Sequence, residues 1–513
     1  MKASITTNAK FQIAPIDDRI YGSFLEHLGR AIYEGIYEPS HPSSNEQGFR
    51  TDVLDIIRDL QVPVIRYPGG NYVSAFKWED SVGPRELRPK RLDLAWRTIE
   101  TNQFGIAEFH DWCQQANTAY MMAINLGSRG IEDARNLLEY CNDNSGAAWG
   151  DLRKQHGYPE PFNIRMWCLG NEMDGPWQVG HKTAYEYGRL ANETAKTYRK
   201  FDEDLELIVC GSSNDKMATY PEWEAEVLDQ SYESVDYISL HKYWNNYPKD
   251  TLNYLASHYE LDEYIGTVRS VIQYIKAKKR AKNDVYICFD EWNPWYHTNK
   301  RDHELLKTWD WPEAPHLFED PYNLEDALLV GTVINSFIRN ADIVKIACMA
   351  QLVNVIAPIS TEKGGAVWKQ TIFYPYYLAS KYGRGTALQA QVASPTYDCT
   401  IRDQASYLDT SVVLNEERKE ISVFCVNKHP DQAMHAEISL ENFSELSGLE
   451  HVCLTGPDRY MTNTVQQPDR VVPQLLEPPK VSQTQSAVSL PPLSFNVLRY
   501  CYCLLYTSDA ADE

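Results

Sequence analysis

The sequence predicts an α/β protein that combines an eight-stranded (β/α)8 barrel, the TIM-barrel architecture, with a C-terminal antiparallel β-sandwich of jelly-roll type. Two observations support this prediction. Eight short apolar runs of β type occur between residues 19 and 354, and helical patterns separate most of them. After about residue 380 the helical patterns stop, and alternating apolar and polar residues continue to about residue 500. A chain of 513 residues is long enough for both domains.

The eight apolar runs have the length of buried strands. They are RIYGSFLEHL (19–28), VPVIRYPGG (62–70), AYMMAINLGS (119–128), IRMWCLGNE (164–172), ELIVCGSS (206–213), YISLHKYW (237–244), DVYICFDEW (284–292) and VKIACMAQLVN (344–354). The intervening helices have apolar residues at three- and four-residue steps, as at Leu324, Leu328, Gly331, Ile334 and Ile338. Strands that alternate with helices form a parallel sheet through right-handed crossovers, and eight such strands can close a barrel.

A doubly wound open sheet is the alternative for the same alternation of strands and helices. Such a sheet typically carries a G-x-G-x-x-G turn after its first strand. No such turn follows the first run, and YPGGN at 67–71 contains only a glycine pair. The barrel is therefore favoured.

The C-terminal part of the chain shows the alternation of an antiparallel sandwich. TSVVLNEERKEISVFCVN places a polar turn at Asn415–Arg418 between two alternating stretches, and MHAEISL, HVCLTG and SFNVLRY continue the pattern. We place the barrel at residues 17–380 and the sandwich at 381–500. Residues 1–16 also alternate and are expected to add a strand to the sandwich.

The end of the chain, 501–513, is set apart from this fold. The segment CLLYTSDAADE (503–513) resembles the translation of a sequencing-library adapter, and it follows a stretch with the character of a final strand. We therefore expect 501–513 to be a non-native tail, with an ordinary polar tail as the alternative.

Composition excludes several classes of partner. A formal net charge of −22 argues against nucleic acids and anionic membranes, which basic surfaces bind. The first residues lack the apolar core of a signal peptide, and the most apolar later stretch, IACMAQLVNVIAPI, is too short to span a membrane. The 11 cysteines form no C-x-x-C pair and lie mostly inside apolar runs, as reduced core thiols do. We expect a cytoplasmic protein with no nucleic-acid or membrane partner.

Polar residues interrupt the apolar runs at the same end of each strand. Glu172 closes the fourth run and Glu291 closes the seventh. The carboxyl ends of barrel strands converge on one mouth, where the chemistry of barrel enzymes takes place, so these residues are expected to meet. The other polar residues at these ends are Glu26, His27, Asn71, His241, Tyr243 and Gln351. The tryptophans adjacent to the same segments are Trp96, Trp177, Trp292 and Trp295.

Two carboxylates that face each other across a cleft can divide the work of glycoside hydrolysis. One must be neutral to protonate a leaving oxygen, while the other stays ionised to attack the anomeric carbon. Asn171 can hold a sugar hydroxyl beside Glu172, and Tyr243 can donate to the ionised partner. A single such acid is more often a structural ion-pair member. Two glutamates flanked by tryptophan and amide side chains favour a catalytic pair.

Six segments carry a resemblance to a known family. They are YGSFLEHLGRAIYEGIY (21–37), RYPGGNYVSAFKWEDSVGP (66–84), WCLGNEMDGPWQVGH (167–181), SLHKYW (239–244), FDEWNPWYH (289–297) and MAQLVNVIAPI (349–359). In this order and at these distances they resemble the signature segments of the α-L-arabinofuranosidases of glycoside hydrolase family 51. The resemblance extends to about residue 500, and it implies a barrel with a β-sandwich and a reaction that retains anomeric configuration.

The resemblance also implies a role for each site residue. Glu172 would be the general acid/base and Glu291 the nucleophile, with their carboxyl groups roughly 5 to 5.5 Å apart. The residues that would hold the sugar, orient the carboxylates or wall the subsite are Glu26, Asn71, Asn171, His241, Tyr243, Gln351, Trp96 and Trp295. One departure from the family pattern is Pro294, which stands where a small aliphatic residue is expected and can tilt Trp295.

The implied enzyme removes terminal α-L-arabinofuranosyl units from arabino-oligosaccharides by exo action. It would need no cofactor and no metal, and it would form a homo-oligomer, commonly a hexamer in this family. Three other functions stay open. They are a hydrolase of the same mechanism acting on β-xylosidic or β-glucan bonds, a carbohydrate-binding protein without catalysis, and a metal hydrolase built from His27, His241 and His297.

Overall fold

The computed structural model describes residues 1–504. Its strands, in chain order, are β1 (Lys2–Pro15), β2 (Gly22–Phe24), β3 (Val64–Tyr67), β4 (Arg91–Asp93), β5 (Thr98–Glu100), β6 (Ala119–Ala123), β7 (Met166–Leu169), β8 (Glu206–Cys210), β9 (Tyr237–Trp244), β10 (Tyr286–Pro294), β11 (Val344–Ala350), β12 (Ile359–Thr361), β13 (Val367–Lys369), β14 (Thr386–Ala393), β15 (Thr396–Tyr397), β16 (Ala405–Ser406), β17 (Leu408–Asn415), β18 (Glu420–Asn427), β19 (Met434–Glu441), β20 (Phe443–Leu454), β21 (Gln474–Leu476), β22 (Lys480–Ser482), β23 (Gln485–Leu490) and β24 (Ser494–Leu504). Its α-helices are α1 (Thr51–Leu60), α2 (Ile106–Ala116), α3 (Ile131–Asn142), α4 (Ala148–Gln155), α5 (Ala184–Phe201), α6 (Glu222–Ser231), α7 (Thr251–Leu255), α8 (His258–Lys279), α9 (Asn299–Leu306), α10 (Leu324–Arg339) and α11 (Phe373–Tyr382).

Eight parallel strands close the predicted barrel. They follow one another as β2, β3, β6, β7, β8, β9, β10 and β11, and β11 pairs with β2. Each of the eight apolar runs contributes one of these strands, so the predicted (β/α)8 architecture is confirmed. The fourth run was predicted as a strand to residue 172, but β7 ends at Leu169. Gly170 has a φ of 99°, which turns the chain out of the strand and places Asn171 and Glu172 on a loop.

The C-terminal strands form a second, predominantly antiparallel sheet. Its ten strands are ordered β21-β20-β24-β18-β17-β14-β1-β19-β23-β22. The N-terminal β1 lies inside this sheet, antiparallel to β14 and parallel to β19. The sheet folds over on itself, because β20 near one end contacts β22 at the other end. The two layers enclose an apolar cluster of their own, separate from the barrel core.

Helix α10 joins the two domains. Every residue from Leu324 to Ile338 is buried. The predicted apolar stripe accounts for one face only; the barrel strand β10 and the sheet strands β17, β18 and β24 all contact this helix. At Gly331 a Cβ atom would lie 2.6 Å from the ring of Phe495, so glycine permits the close approach of helix and sheet.

The last strand runs beyond the predicted end of the sandwich. Cys501, Tyr502 and Cys503 belong to β24, and Cys501 pairs with both β18 and β20. Residues 505–513 of the predicted tail lie outside the described residues. Within 1–504, no helix has both the length and the apolar character needed to cross a lipid bilayer.

Candidate active site

A cleft of about 1450 Å³ opens at the carboxyl ends of the barrel strands. Most of the predicted site residues line it, namely Glu26, Asn71, Trp96, Glu172, Tyr243, Glu291, Trp295 and Gln351. Asn171 and His241 are buried beside these residues and contact them through hydrogen bonds. Trp292 instead packs against Phe337 of α10, outside the barrel.

Glu291 is held inside the barrel by a distortion of its strand. Neighbouring side chains of a regular strand point to opposite faces. The pairing of β10 with β9 shifts register between Cys288 and Glu291, which marks a bulge. Both Asp290 and Glu291 consequently reach the same cation, Arg66, at 3.0 Å from Nε and 2.7 Å from Nη1 respectively.

The second oxygen of Glu291 contacts β9. Its Oε2 accepts a hydrogen bond from the Tyr243 hydroxyl at 2.9 Å and lies 3.4 Å from Nδ1 of His241. His241 Nε2 lies 3.0 Å from Asp290 Oδ1. Burial alone would lower the pKa of His241, but the charges of Glu291 and Asp290 hold it well above its ordinary value. The carboxyl groups on both sides of the ring therefore favour the protonated form of His241.

Glu172 lies opposite, on the loop after β7. It adopts a φ of 45°, a conformation that is strained for a residue with a Cβ atom. Oε1 accepts from His241 Nδ1 at 3.0 Å, and Oε2 accepts from the indole Nε1 of Trp177 at 2.8 Å. Burial raises the pKa of Glu172, and the charge of Glu291 adds to this rise, while the hydrogen bonds from His241 and Trp177 oppose it.

The charges of the site explain why the two glutamates differ. Arg66 contacts Asp290 at 3.0 Å and Glu291 at 2.7 Å, whereas His241 lies 3.0 Å from both Asp290 and Glu172 and 3.4 Å from Glu291. Burial would raise the pKa of Asp290, but Arg66 and His241 hold it below its ordinary value. Within residues 1–504 Arg66 pairs with Asp290 and Glu291 and not with Glu172, so burial and the charge of Glu291 favour the protonated form of Glu172.

Glu26 forms a third carboxyl group at the cleft. Its Oε1 accepts from the Tyr72 backbone N–H and from the Trp96 indole, each at 2.9 Å. Its own backbone N–H donates to Gln351 Oε1 at 3.0 Å. Burial raises the pKa of Glu26 to about 8, against the hydrogen bond from Tyr72 and with the charge of Glu291. Burial therefore favours the neutral form of Glu26, whose hydroxyl can donate to a ligand.

The glycine pair after β3 makes room for these acids. A Cβ atom on Gly69, whose φ is 155°, would lie 2.6 Å from Glu26 Cγ. A Cβ atom on Gly70 would lie 3.0 Å from Glu291 Oε1. The glycine pair in YPGGN thus lets the backbone pass close to two carboxyl groups. This packing accounts for the pair without a nucleotide-binding turn.

The remaining predicted residues complete the walls. Asn171 Oδ1 accepts from Arg66 Nη2 at 2.7 Å, and its Nδ2 lies 3.4 Å from Asn71 Oδ1. The ring of Trp295 meets that of Tyr243 edge to face, with centroids 5.2 Å apart. These contacts hold amide and aromatic groups beside both glutamates.

The separation of the two carboxylates bears on stereochemistry. One carboxylate oxygen of Glu172 and one of Glu291 lie within 4.8 Å of each other. Inverting glycosidases keep their carboxyl groups roughly 6.5 to 9.5 Å apart to admit a water molecule, and retaining enzymes about 5 to 5.5 Å. The observed spacing favours direct attack by one carboxylate.

A metal at this position is disfavoured by the donors themselves. Within residues 1–504, the group whose ligand atoms lie close enough to hold an ion is Glu172, His241 and Glu291. A metal-binding histidine must offer a neutral ring nitrogen, whereas each ring nitrogen of His241 already lies 3.0 Å from a carboxyl oxygen, of Glu172 or of Asp290. The other histidines considered for a metal site are engaged elsewhere, His27 by Glu100 and Tyr67 and His297 by Asp326.

Two site residues, Arg66 and Asp290, were missed by the analysis of the sequence, and Trp177 was named only as a tryptophan next to the mouth. Arg66 and Asp290 form the charged floor of the site, and Trp177 contacts Glu172. Arg66 is a charge inside the apolar run VPVIRYPGG, which was a usable signal because an unpaired buried charge is costly. Asp290 had a weaker signal, since an acid next to Glu291 would point away in a regular strand.

Known proteins resemble this chain over nearly its whole length. Residues 56–281 match the model of an α-L-arabinofuranosidase 1 domain, and residues 290–494 match that of an α-L-arabinofuranosidase C-terminal domain. The chain is 53% identical to an intracellular exo-α-(1→5)-L-arabinofuranosidase of Halalkalibacterium halodurans over 97% of this chain and 99% of the relative. It is 52% identical to intracellular exo-α-(1→5)-L-arabinofuranosidase 1 of Bacillus subtilis, with the same two coverages.

A solved structure agrees with this result. The family 51 α-L-arabinofuranosidase of Bifidobacterium longum superimposes with a TM-score of 0.93 and 39% identity, over 97% of this chain and 99% of that one. Identity of this extent, together with a barrel and a C-terminal sheet that superimpose as a unit, leaves no ambiguity about ancestry. The chain belongs to the α-L-arabinofuranosidases of glycoside hydrolase family 51.

Proposed function

We propose that the protein is a retaining, exo-acting α-L-arabinofuranosidase that releases terminal non-reducing arabinofuranosyl units from arabino-oligosaccharides. The observation that carries the proposal is the pair of glutamates with oxygens within 4.8 Å and opposite electrostatic surroundings. Membership of the family supports the choice of sugar, since relatives more than 50% identical are named exo-α-(1→5)-L-arabinofuranosidases.

In the first step Glu291 is the nucleophile. A carboxylate oxygen of Glu291 forms a bond to the anomeric carbon while the glycosidic C–O bond breaks, and its electron pair goes to the leaving oxygen. Glu172 donates its proton to that oxygen, and the alcohol departs. Tyr243 and Arg66 hold the two oxygens of Glu291 in place for attack.

In the second step Glu172 is the base. Once Glu291 is an ester it has no charge, so one cause of the raised pKa of Glu172 disappears. Glu172 then accepts a proton from a water molecule, whose oxygen attacks the anomeric carbon as the ester bond breaks. Two displacements on the same carbon return the original configuration.

The other cleft residues are assigned to the bound sugar. Glu26, Asn71 and Asn171 offer hydrogen-bonding groups to hydroxyls, and His241, Tyr243 and Gln351 fix the carboxyl groups or the sugar. Trp96 and Trp295 form apolar walls.

Removal of each glutamate in turn tests these roles. Glu291→Ala should abolish turnover of every substrate. Glu172→Ala should still form the glycosyl-enzyme from a nitrophenyl arabinofuranoside, with a burst and slow release, and azide should restore turnover to a glycosyl azide of retained configuration. If azide instead rescues Glu291→Ala with retention, the roles are reversed. If neither change slows hydrolysis by at least ~100-fold, the site is wrong.

A second function is an enzyme of the same mechanism for β-xylosidic or β-glucan bonds. A panel of aryl glycosides that differ only in the sugar separates the two. The arabinofuranoside should be hydrolysed fastest, and preference for another sugar would replace the proposed substrate. No turnover of any sugar, with binding retained, would indicate a carbohydrate-binding protein.

We also infer that the enzyme acts inside the cell on short oligosaccharides. The relatives in Halalkalibacterium halodurans and Bacillus subtilis are named intracellular. Arabino-oligosaccharides should therefore be cut faster than polymeric arabinan at equal concentrations of chain ends. Faster release of arabinose from the polymer would contradict this inference.

A homo-oligomer, in this family commonly a hexamer, completes the proposal. Light scattering of the purified chain measures its mass directly. A mass close to 58.9 kDa would identify a monomer and remove the inference.

A further inference from the structure

Both oxygens of Glu172 accept a hydrogen bond, but their donors differ in exposure. The donor to Oε1, His241, is 2% exposed and is fixed from behind by Asp290. The donor to Oε2, Trp177, is 50% exposed and lines the cleft. An acid that protonates a leaving group needs one oxygen free to face that group. Only the bond from Trp177 can break without disturbing the buried charges.

The backbone around Trp177 is anchored, which leaves the indole as the part of the loop that can move. Asp174 accepts from the Ser213 backbone N–H at 3.0 Å, and the Gln178 side chain donates to Ser74. The Gly175 backbone N–H donates to the Glu172 carbonyl at 2.9 Å, which closes a turn. The backbone is therefore tied down on both sides of Trp177, whose side chain extends over Glu172.

Gly175 is the residue that permits this position of the indole. A Cβ atom on Gly175 would lie 2.5 Å from Cε2 and 2.6 Å from Cζ2 of Trp177. Gly175 does not have a positive φ, so alanine is compatible with its backbone. A methyl group there would meet an exposed ring that is free to swing away.

We propose that Trp177 is a positioning residue for Glu172. In the free enzyme its indole N–H holds the cleft-facing oxygen Oε2, and on binding the glycosidic oxygen of the arabinofuranoside takes the place of the indole. The inference rests on the assignment of Glu172 as acid/base in the proposed function. It adds that this acid changes its hydrogen-bond partner when a leaving group enters the cleft.

The charged and titratable groups around Glu172 decide the sign of the effect. Glu291 raises the pKa of Glu172, while His241 and Trp177 lower it. The charges of Glu291 and Glu172 also act on the nearby Tyr243 hydroxyl, whose pKa burial raises. Trp177 donates to Oε2, which favours the ionised form. Loss of the indole N–H should raise the pKa of Glu172 in the free enzyme. The basic limb of the kcat/KM profile, which falls as this acid ionises, should move to higher pH.

Trp177→Phe removes the donor and keeps an aromatic ring. We expect its basic limb at higher pH than that of the wild type with arabinobiose, whose poor leaving group needs the acid. At the pH optimum we expect a loss of kcat/KM well below the ~100-fold loss for an acid/base residue. Tyr185→Phe alters an aromatic ring of similar exposure, 58%, outside the cleft, and should leave the profile unchanged.

Gly175→Ala keeps Trp177 but displaces its ring from Glu172. It should move the basic limb in the same direction as Trp177→Phe. In the inactive Glu291→Ala variant, arabinobiose should shift the indole N–H resonance that Trp177→Phe identifies by its absence.

A basic limb of Trp177→Phe that stays in place or moves to lower pH overturns the proposal. The proposed exchange of the hydrogen-bond partner of Glu172 is overturned by either of two results. One is a basic limb of Gly175→Ala at the wild-type pH, and the other is an indole resonance that arabinobiose leaves unchanged. Azide rescue of Glu172→Ala is independent of these outcomes. If that rescue succeeds while the profiles do not move, the inference about Trp177 fails and the proposed function stands. If the rescue fails, the proposed function itself fails.

Discussion

The strand that carries Glu291 and the loop that carries Glu172 hold identical side chains in opposite ways. Glu291 lies in β10, inside the barrel, ion-paired to Arg66 at 2.7 Å. Glu172 lies after β7 at a φ of 45°, and its hydrogen-bond donors are His241 and a half-exposed indole. Arg66 contacts the first carboxyl group directly, while burial raises the pKa of the second, Glu172. This difference between their neighbours is what supports the proposed roles of nucleophile for Glu291 and acid for Glu172.

Substitution of Arg66 should have the largest effect on the difference between the surroundings of Glu291 and Glu172. Arg66→Ala would leave Asp290 and Glu291 buried without their shared cation, and breaking such a pair costs about 3 to 5 kcal/mol. We expect that loss in the free energy of unfolding, measured with denaturant. Activity should fall by at least ~100-fold, because the charged form of the nucleophile is no longer held.

A surface arginine serves as the control for Arg66. Arg58 pairs with Asp55, which is 73% exposed, so Arg58→Ala should change stability by no more than about 1 kcal/mol. Arg66→Lys keeps the positive charge. If it is as unstable as Arg66→Ala, the shape of the guanidinium rather than its charge determines stability at this position.

Glu26 extends the comparison to a third buried acid. Its pKa is raised to about 8 in the folded protein from 4.5. Its contribution to stability is complete below about pH 4.5 and is lost as pH rises through 8. Between pH 5 and pH 8 the wild type should therefore lose on the order of a few kcal/mol relative to Glu26→Gln, which cannot ionise.

Denaturant unfolding at several pH values measures this difference. Exposed Glu86 provides the matched control, and Glu86→Gln should follow the wild type at every pH. Parallel curves for Glu26→Gln and the wild type would mean that Glu26 is ionised in the folded protein.

The coupling between the two glutamates can be measured directly. Glu291→Gln removes the charge that raises the pKa of Glu172, so this pKa should fall. The direction mimics the ester intermediate, in which Glu172 must become a base. Carbon-13 NMR titration of glutamate-labelled protein reports it, with Glu172→Gln as the assignment variant. An unchanged or higher pKa would contradict a role for Glu291 in switching Glu172.

Pro294 should give the smallest effect. It ends β10, where its carbonyl accepts from the Tyr322 hydroxyl at 2.7 Å. The Trp295 backbone N–H donates to Trp244 at 2.8 Å. Pro294→Val keeps both hydrogen bonds, so a change of less than about threefold in kcat/KM is expected. The ratio of rates on (1→3)- and (1→5)-linked arabinobiosides tests whether the proline tilts Trp295, and a tenfold change would show a larger influence on linkage preference.

Much of the architecture could be predicted because it depends on local patterns. The eight apolar runs became the eight barrel strands, and the alternating C-terminal stretches became strands of the second sheet. The predicted limits of the runs were too long where a single residue ends the strand, as Gly170 does. The stripe on α10 was predicted as one buried face, but burial on all sides depends on a second domain packed against it.

The sequence by itself determined the barrel, the second sheet and the position of Glu172 and Glu291 at strand ends, since hydrophobic periodicity and chain order suffice for these. Only the tertiary structure decided how differently the two glutamates are surrounded. Arg66 and Glu291 are 225 positions apart in the chain yet 2.7 Å apart in space. The bulge in β10, the raised pKa of His241 and the indole over Glu172 likewise depend on contacts between distant segments. Electrostatic energy depends on distance and on burial, and neither can be obtained from a linear sequence.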